Sequence, residues 1–400
     1  MVSDLIRRRI EENEQDRLAP YASRSSQSRG RRYPSTEHNY RTAYQRDRDK
    51  IVYTPAFRRL QYKTQVFVNF EGDHYRTRLT HTIEGSQIAR TIARALAVNE
   101  DLVEAIALAH DLGHPPYGHA SEDALDALMK QPIVLKQLDG TDDPGGFEHN
   151  LQSLRIVDLL EGHNPVHPGL NLTWEVREGI CKHRFTPGHV ELAEFQQTPQ
   201  TSLEAQVADI ADEIAYDCHD VDDGLRAGLV TIEELEESQL WRDALEQVKL
   251  GSATADPHEQ RYRAVKTLVD RLVTDVVKAT IANVEAAGVR SAADVRCCDH
   301  PLVSFSGEIN SHAASLKAFL YRRVYYHYQV VRMKEKARRL ISDLFNTYLD
   351  QPDQLPSHVQ RRLDTVPPPR AICDYLSGMT DRYAVDEHRK LFEIDVRLLP

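Results

Sequence analysis

Four hundred residues, 41% of them hydrophobic, can bury a substantial core in one large domain or two ordinary ones, which sets wholesale disorder aside. No apolar run approaches the roughly 20 residues that cross a bilayer, and the net charge of −11 opposes general coating of nucleic acid. The N-terminal MVSDLIRRRIEENEQDR lacks a signal-peptide type of hydrophobic stretch, and five cysteines scattered without C-x-x-C spacing fit a reducing compartment. A cytoplasmic protein is expected.

Residues 1–50 carry 12 Lys/Arg against 8 Asp/Glu, and the Ser/Arg-rich stretch from Ser23 to Arg32 reads as a flexible basic arm. Arg58, Arg59, Lys63, Arg76 and Arg78 then concentrate positive charge that could meet a polyanion. Weak strand-type alternation appears only near Gln65–Asn69. From Leu79, apolar residues recur at Ile83, Ala89, Ile92, Ala93 and Leu96, one face of a helix. Asn99 can cap a second helix, whose first turn holds Glu100 and Asp101 and which stops at Gly113 before Pro115 and Pro116. Residues 148–161 and Thr173–Lys182 read as two more helices, and Thr201-x-x-Glu204 as a capping box opening a fifth. After Gly251 a polar segment intervenes. Long helices are expected at about 260–287 and 311–349, and a Pro-rich break (Val366 to Pro369) precedes a terminal helical region. The pattern predicts an all-α protein: a basic N-terminal arm (1–50), a catalytic region (51–250), and a helical C-terminal region (251–400) completing the same globular unit.

The chemistry concentrates at His81, the pair His110-Asp111, and Asp212. His110 and Asp111 end an apolar helix in AIALAHDLGHPPYGHASE, where ionisable side chains are costly unless something satisfies them. A divalent metal ion would do so. Imidazole and carboxylate ligands suit Mn²⁺, Fe²⁺, Co²⁺, Ni²⁺ or, less ideally, Mg²⁺, and the lack of thiolates disfavours structural zinc. A lone helical histidine is usually just hydrogen-bonded. Separate helices that each present such a group make a shared purpose the better reading. On the last of these helices, Asp209, Asp212, Tyr216 and Asp220 project from a common face. Such a stripe is more often a solvated acidic surface, and it gains meaning only from its partner helices.

The order His81, His110-Asp111, Asp212 resembles the H…HD…D signature of the HD superfamily. FRRLQYKTQV (57–66), RTRLTHT (76–82), AHDLGHPPYGHASE (109–122), FEHNLQSLRI (147–156), QVADIADEIAYDCHD (206–220) and SGMTDRYA (377–384) are similar to segments of the deoxyguanosine triphosphate triphosphohydrolase-like family. The resemblance spans residues from about 50 to 395. It implies a mostly helical fold, one divalent ion held by His81, His110, Asp111 and Asp212, and hydrolysis of a dNTP to the deoxynucleoside and inorganic triphosphate. It also implies a ring-like homo-oligomer, such as a hexamer, and leaves open a second, allosteric dNTP. By position, His119 and Glu122 match the family's catalytic pair, with the carboxylate expected to orient the imidazole. Gln65 and Tyr216 match residues that hold the deoxyribose, with Asp220 as a helper. Arg78, His114, His149 and Lys182 are placed to meet phosphate oxygens, and Tyr325 falls in RRVYYH, similar to a family segment near the sugar.

Two alternatives remain at this level. One is an HD phosphohydrolase of nucleoside monophosphates or cyclic nucleotides, which would not need several cations along a triphosphate. The other is a regulator, in which a degenerate site senses nucleotides or the basic arm holds single-stranded nucleic acid. All the ligand types are present, so degeneracy is not indicated.

Overall fold

The computed structural model describes residues 2–65, 76–162, 164–181, 189–251 and 256–394. Lys182 and positions 66–69 of the strand-like segment lie outside them. Helices dominate, and among the described residues extended pairing is limited to two isolated antiparallel bridges, Arg31 with Thr173 and Thr64 with Thr77. No described helix is long and apolar enough to cross a membrane.

Three central helices position the site. Arg78–Ala95 opens on a Thr77 capping box, Glu100–Ala109 on Asn99, whose side chain accepts the Leu102 N–H, and Leu203–Arg226 packs against both. Their apolar stripes meet in a core that includes Ile92, Val207, Ile214 and Trp241 and continues into Leu268, Leu316 and Phe319. Hydrophobic packing therefore runs across position 250. A second core gathers Tyr44, Ile51, Leu102 and Val176. A third joins the His119–Met129 helix to Tyr328–Asp350 and Pro368–Ser377 through Leu125, Met129, Phe345 and Ile372.

Four expectations need correction. The stretch from Ser23 to Arg32 is docked, because its small polar groups donate to carboxylates that would otherwise be stranded. Ser23 N and Oγ reach Glu204 at 2.7 and 2.8 Å, Ser28 Oγ and Arg29 N reach Glu175 at 2.7 Å each, and Arg31 pairs with buried Asp47. The 50/51 boundary also falls inside a helix, Ala43–Val52. The helix at 203–226 is capped by Ser202, whose hydroxyl accepts the Ala205 N–H, and Glu204 is drawn off to Ser23 and the Asn99 N–H. Finally, the expected 311–349 helix is two, Gly307–Leu320 and Tyr328–Asp350, separated by a π turn at Tyr321–Tyr325 and a break at Tyr326–His327. That wide turn aims Tyr321 and Tyr325 at the cavity described next.

Candidate active site

His81 lies one turn into the 78–95 helix, His110 and Asp111 follow the last turn of the 100–109 helix, and Asp212 lies near the middle of the 203–226 helix. His81 Nε2 and His110 Nε2 stand 3.0 and 3.2 Å from the same Asp212 Oδ1, and His110 Nε2 is 3.4 Å from Asp111 Oδ1. One donor atom from each of His81, His110 and Asp111 falls within a 4.8 Å sphere of mutual distances. His110 Nδ1 is turned outward to the Ala107 carbonyl, 2.6 Å away, which leaves Nε2 facing the cluster. Two imidazoles and two carboxylates on rigid helices fit a divalent ion, and the outer nitrogens of both rings are anchored as metal-ligating histidines require.

Beside this cluster, buried Arg78 pairs with Asp111 Oδ2 at 3.1 Å. Burial alone would raise the Asp111 carboxyl, but Arg78, His110 and His114 together hold it well below the usual carboxylate range. Arg78 Nη2, Gln65 Oε1 and His114 Nδ1 have no hydrogen-bond partner among the described residues although all three are buried, so the cavity they border suits a polar ligand. Glycine makes this approach feasible. A Cβ on Gly118, which has φ +58°, would lie 2.6 Å from Arg78 Nη2, and one on Gly113 would lie 2.1 Å from the His149 carbonyl.

Three imidazoles face Arg78. His114 stacks on His149 with centroids 3.8 Å apart, and His119 meets them edge-on at 5.1 and 5.9 Å. Burial and then Arg78 push His119 down to about 4, and the same two causes, with His149, lower His114 strongly. The expected Glu122–His119 hydrogen bond is not made. Glu122 Oε1 instead accepts from the His149 backbone at 2.9 Å and from His149 Nδ1 at 2.8 Å. The reason is geometric: the close approach at Gly113 brings the N-terminus of the His149–Arg155 helix over the carboxylate.

One cavity of about 840 Å³ is bordered by Gln65, Arg78, His81, Asp111, His114, His119, His149, Asp212, Tyr216 and Tyr325. Asp220 is not on its wall. It is fully buried and accepts a hydrogen bond from the Tyr325 hydroxyl, so it fixes Tyr325 from behind. Lys317, Tyr321 and Lys334 also border the cavity and were missed. Lys317, Tyr321 and Tyr325 are spaced by four, one face of the expected helix, so the sequence did carry a signal for the first two, whereas Lys334 lies beyond the break and had none. A second cavity, of about 820 Å³ over Phe147 and Leu151, offers Arg155 and Arg370, both already bonded to carboxylates (Asp374 and Asp143).

The C-terminal region braces these walls. Asp381 accepts the Thr64 N–H at 2.8 Å and the Tyr117 N–H at 2.9 Å, while Lys63 Nζ donates to the carbonyls of His114 and Ser377. SGMTDRYA thus holds both the segment before Gln65 and the turn before His119.

Helices that bring His…His-Asp…Asp into one cluster at the edge of a cavity define an HD-type phosphohydrolase. In keeping with this, the HD domain family model matches residues 78–217, and the phosphohydrolase-associated domain model matches 303–390. The chain is 50% identical over 381 residues to a deoxyguanosinetriphosphate triphosphohydrolase-like protein of Azoarcus sp. (strain BH72), covering 94% of this chain and 97% of the relative. It is 46% identical over 388 residues to a protein of the same description from Geobacter sulfurreducens, covering 94% and 95%, and 48% identical over 383 residues to one from Ralstonia nicotianae, covering 95% of each. The chain belongs to the deoxyguanosinetriphosphate triphosphohydrolase-like family.

Proposed function

We propose that the protein hydrolyses deoxynucleoside triphosphates to deoxynucleoside and inorganic triphosphate. The observation that carries this reading is the single cavity onto which His81, Asp111, Asp212, Arg78, His114, His119 and His149 all open, with Tyr216 and Tyr325 on the same wall. The relatives' description as deoxyguanosinetriphosphate triphosphohydrolase-like proteins points the same way. A cavity of this size accommodates a nucleotide, and it presents cations and aromatics as distinct surfaces.

In this reading His81, His110, Asp111 and Asp212 would hold a divalent ion, which would supply Lewis acidity and ease deprotonation of the attacking water. Arg78, whose buried Nη2 has no hydrogen-bond partner among the described residues, binds phosphate oxygens. His114, whose Nε2 donates to Asp111, turns its Nδ1 to the same polyanion and meets an oxygen there when protonated. His149, steadied by Glu122, completes that wall. Lys317 and Lys334 extend positive charge along the polyphosphate. Tyr216 and Tyr325 enclose the deoxyribose, with Gln65 opposite and Asp220 fixing Tyr325. Water adds to the α-phosphorus, the bond to the 5′-oxygen breaks, His119 gives that oxygen a proton, and the proton released by the attacking water restores His119. His119 is neutral in the protein's own field, and a polyanion laid against the ring raises its proton affinity to serve this role.

Phosphorus NMR of a reaction run in ¹⁸O-labelled water tests the proposal. Label on a terminal phosphate of tripolyphosphate, with no dNDP or dNMP, is expected. Label in orthophosphate, pyrophosphate or the nucleotide would overturn it, and turnover of dNMP or cyclic nucleotides in its place would favour the narrower HD chemistry.

A further inference from the structure

Behind His81 the protein has built a second layer that does not border the cavity. His219 sits seven residues after Asp212 on one helix, two turns along the same face, and Glu84 sits three residues after His81 on the other. His81 Nδ1 and His219 Nδ1 are 3.0 Å apart, and the rings meet edge-on at 82° with centroids 5.2 Å apart. His219 Nε2 is 2.8 Å from Glu84 Oε2. That same oxygen receives Arg76 Nε at 2.9 Å, and Arg76 is held in turn by Asp222 at 2.9 Å and Asp223 at 2.7 Å.

The direction of these hydrogen bonds follows from the ends of the chain. Glu84 can only accept, so His219 donates from Nε2, which makes its Nδ1 an acceptor. His81 must then donate from Nδ1, and its Nε2 presents a lone pair toward His110, Asp111 and Asp212. Both nitrogens of His219 are used in this way, so it is not itself a ligand. We propose that His219, set by Glu84 and Arg76, is a positioning residue that fixes the ring orientation and tautomer of His81 for metal binding. The inference rests on the reading of His81 as a ligand. Partners at this remove from a metal commonly govern its affinity by about 10–100-fold.

The test uses the full chain, stripped of metal by a chelator and titrated with Mn²⁺, with free Mn²⁺ read by its EPR signal and folding monitored by thermal melting without metal. His219→Leu removes the acceptor and is expected to weaken Mn²⁺ binding by about 10–100-fold. His219→Gln should stay within about 3-fold of the parent, because its side-chain carbonyl can accept the same proton. Glu84→Ala changes a half-exposed side chain, its folding is checked by the same melting, and a loss of about 10-fold is expected. Wild-type affinity in Glu84→Ala and in folded His219→Leu would overturn the proposal. Equal losses in His219→Gln and His219→Leu would also overturn it, by making the role one of packing. His81→Ala separates the two levels: if that variant binds Mn²⁺ normally, the ligand assignment itself fails.

Discussion

Asp381 Oδ1 accepts the backbone N–H of Tyr117 at 2.9 Å across 264 residues of chain. Tyr117 has φ +60° and immediately precedes Gly118 and His119, so this bond holds a left-handed turn that starts the 119–129 helix. Asp381→Ala would strand the N–H groups of Thr64 and Tyr117. A loss of about 2–4 kcal/mol in urea unfolding is expected, together with a fall in kcat/KM. Asp381→Asn should lie between, since its one carbonyl oxygen still accepts. Unchanged stability and activity in Asp381→Ala would mean the turn holds itself.

The four proposed metal ligands come from three helices, with His110 and Asp111 sharing one helix end, so deleting one opens the cluster without unpicking a core. His110→Ala and Asp212→Ala should lose metal binding and turnover while keeping helical circular dichroism. Full turnover in a variant shown by elemental analysis to be metal-free would refute the assignment.

His119 opens on the cavity but contacts neither His81 nor Asp212 in any hydrogen bond. His119→Ala should therefore retain metal and lose about 10²–10⁴ in kcat, the scale of a general acid–base group. Glu122→Gln should act through His149, whose Nδ1 it receives, and so raise KM more than it lowers kcat. A defect of His119→Ala confined to KM would reassign it to binding.

Tyr216 and Tyr325 stand 6.1 Å apart, centroid to centroid, and Asp220 pins the second ring. An added 2′-hydroxyl would have to fit between the rings and Gln65 or lose its hydration unpaired. Parent protein should favour dGTP over GTP, and Tyr325→Phe should narrow the gap by freeing the ring from Asp220. Equal kcat/KM for the two nucleotides in the parent would mean that these rings do not select the sugar.

Asp217 offers a pH test away from the cavity. Burial, reinforced by Glu213 and Asp212 against the pull of Lys317, pushes its carboxyl up to about 7, and its Oδ1 lacks a hydrogen-bond partner among the described residues. Between the unfolded carboxyl value and 7 the folded chain keeps a proton that the unfolded chain has lost. Stability from this group is therefore full at the acid end and lost as pH rises, by about 1.4 kcal/mol for each unit of displacement. Asp217→Asn should melt higher than the parent at pH 8, with the difference vanishing below pH 4. A constant difference across that range would place the effect elsewhere.

Much of this was legible from local pattern. Apolar recurrence placed the helices that carry His81 and His110-Asp111, and the Asn99 cap marked where the second begins, because period and capping are properties of a few consecutive residues. The projection of Asp212 and Tyr216 from one helix face followed from the same periodicity, as did the choice of ligand types. What the sequence could not decide was partnership between distant segments. Serines 23 and 28 looked like those of a flexible arm until Glu204 and Glu175 arrived from far along the chain to receive them. Glu122 stands three residues from His119 but bonds His149, because the packing at Gly113 overrides a local i, i+3 relation. His219 had no visible task until the fold set it against His81. A hydrogen bond is decided within a few tenths of an ångström, and only the packed core fixes two helices to that tolerance.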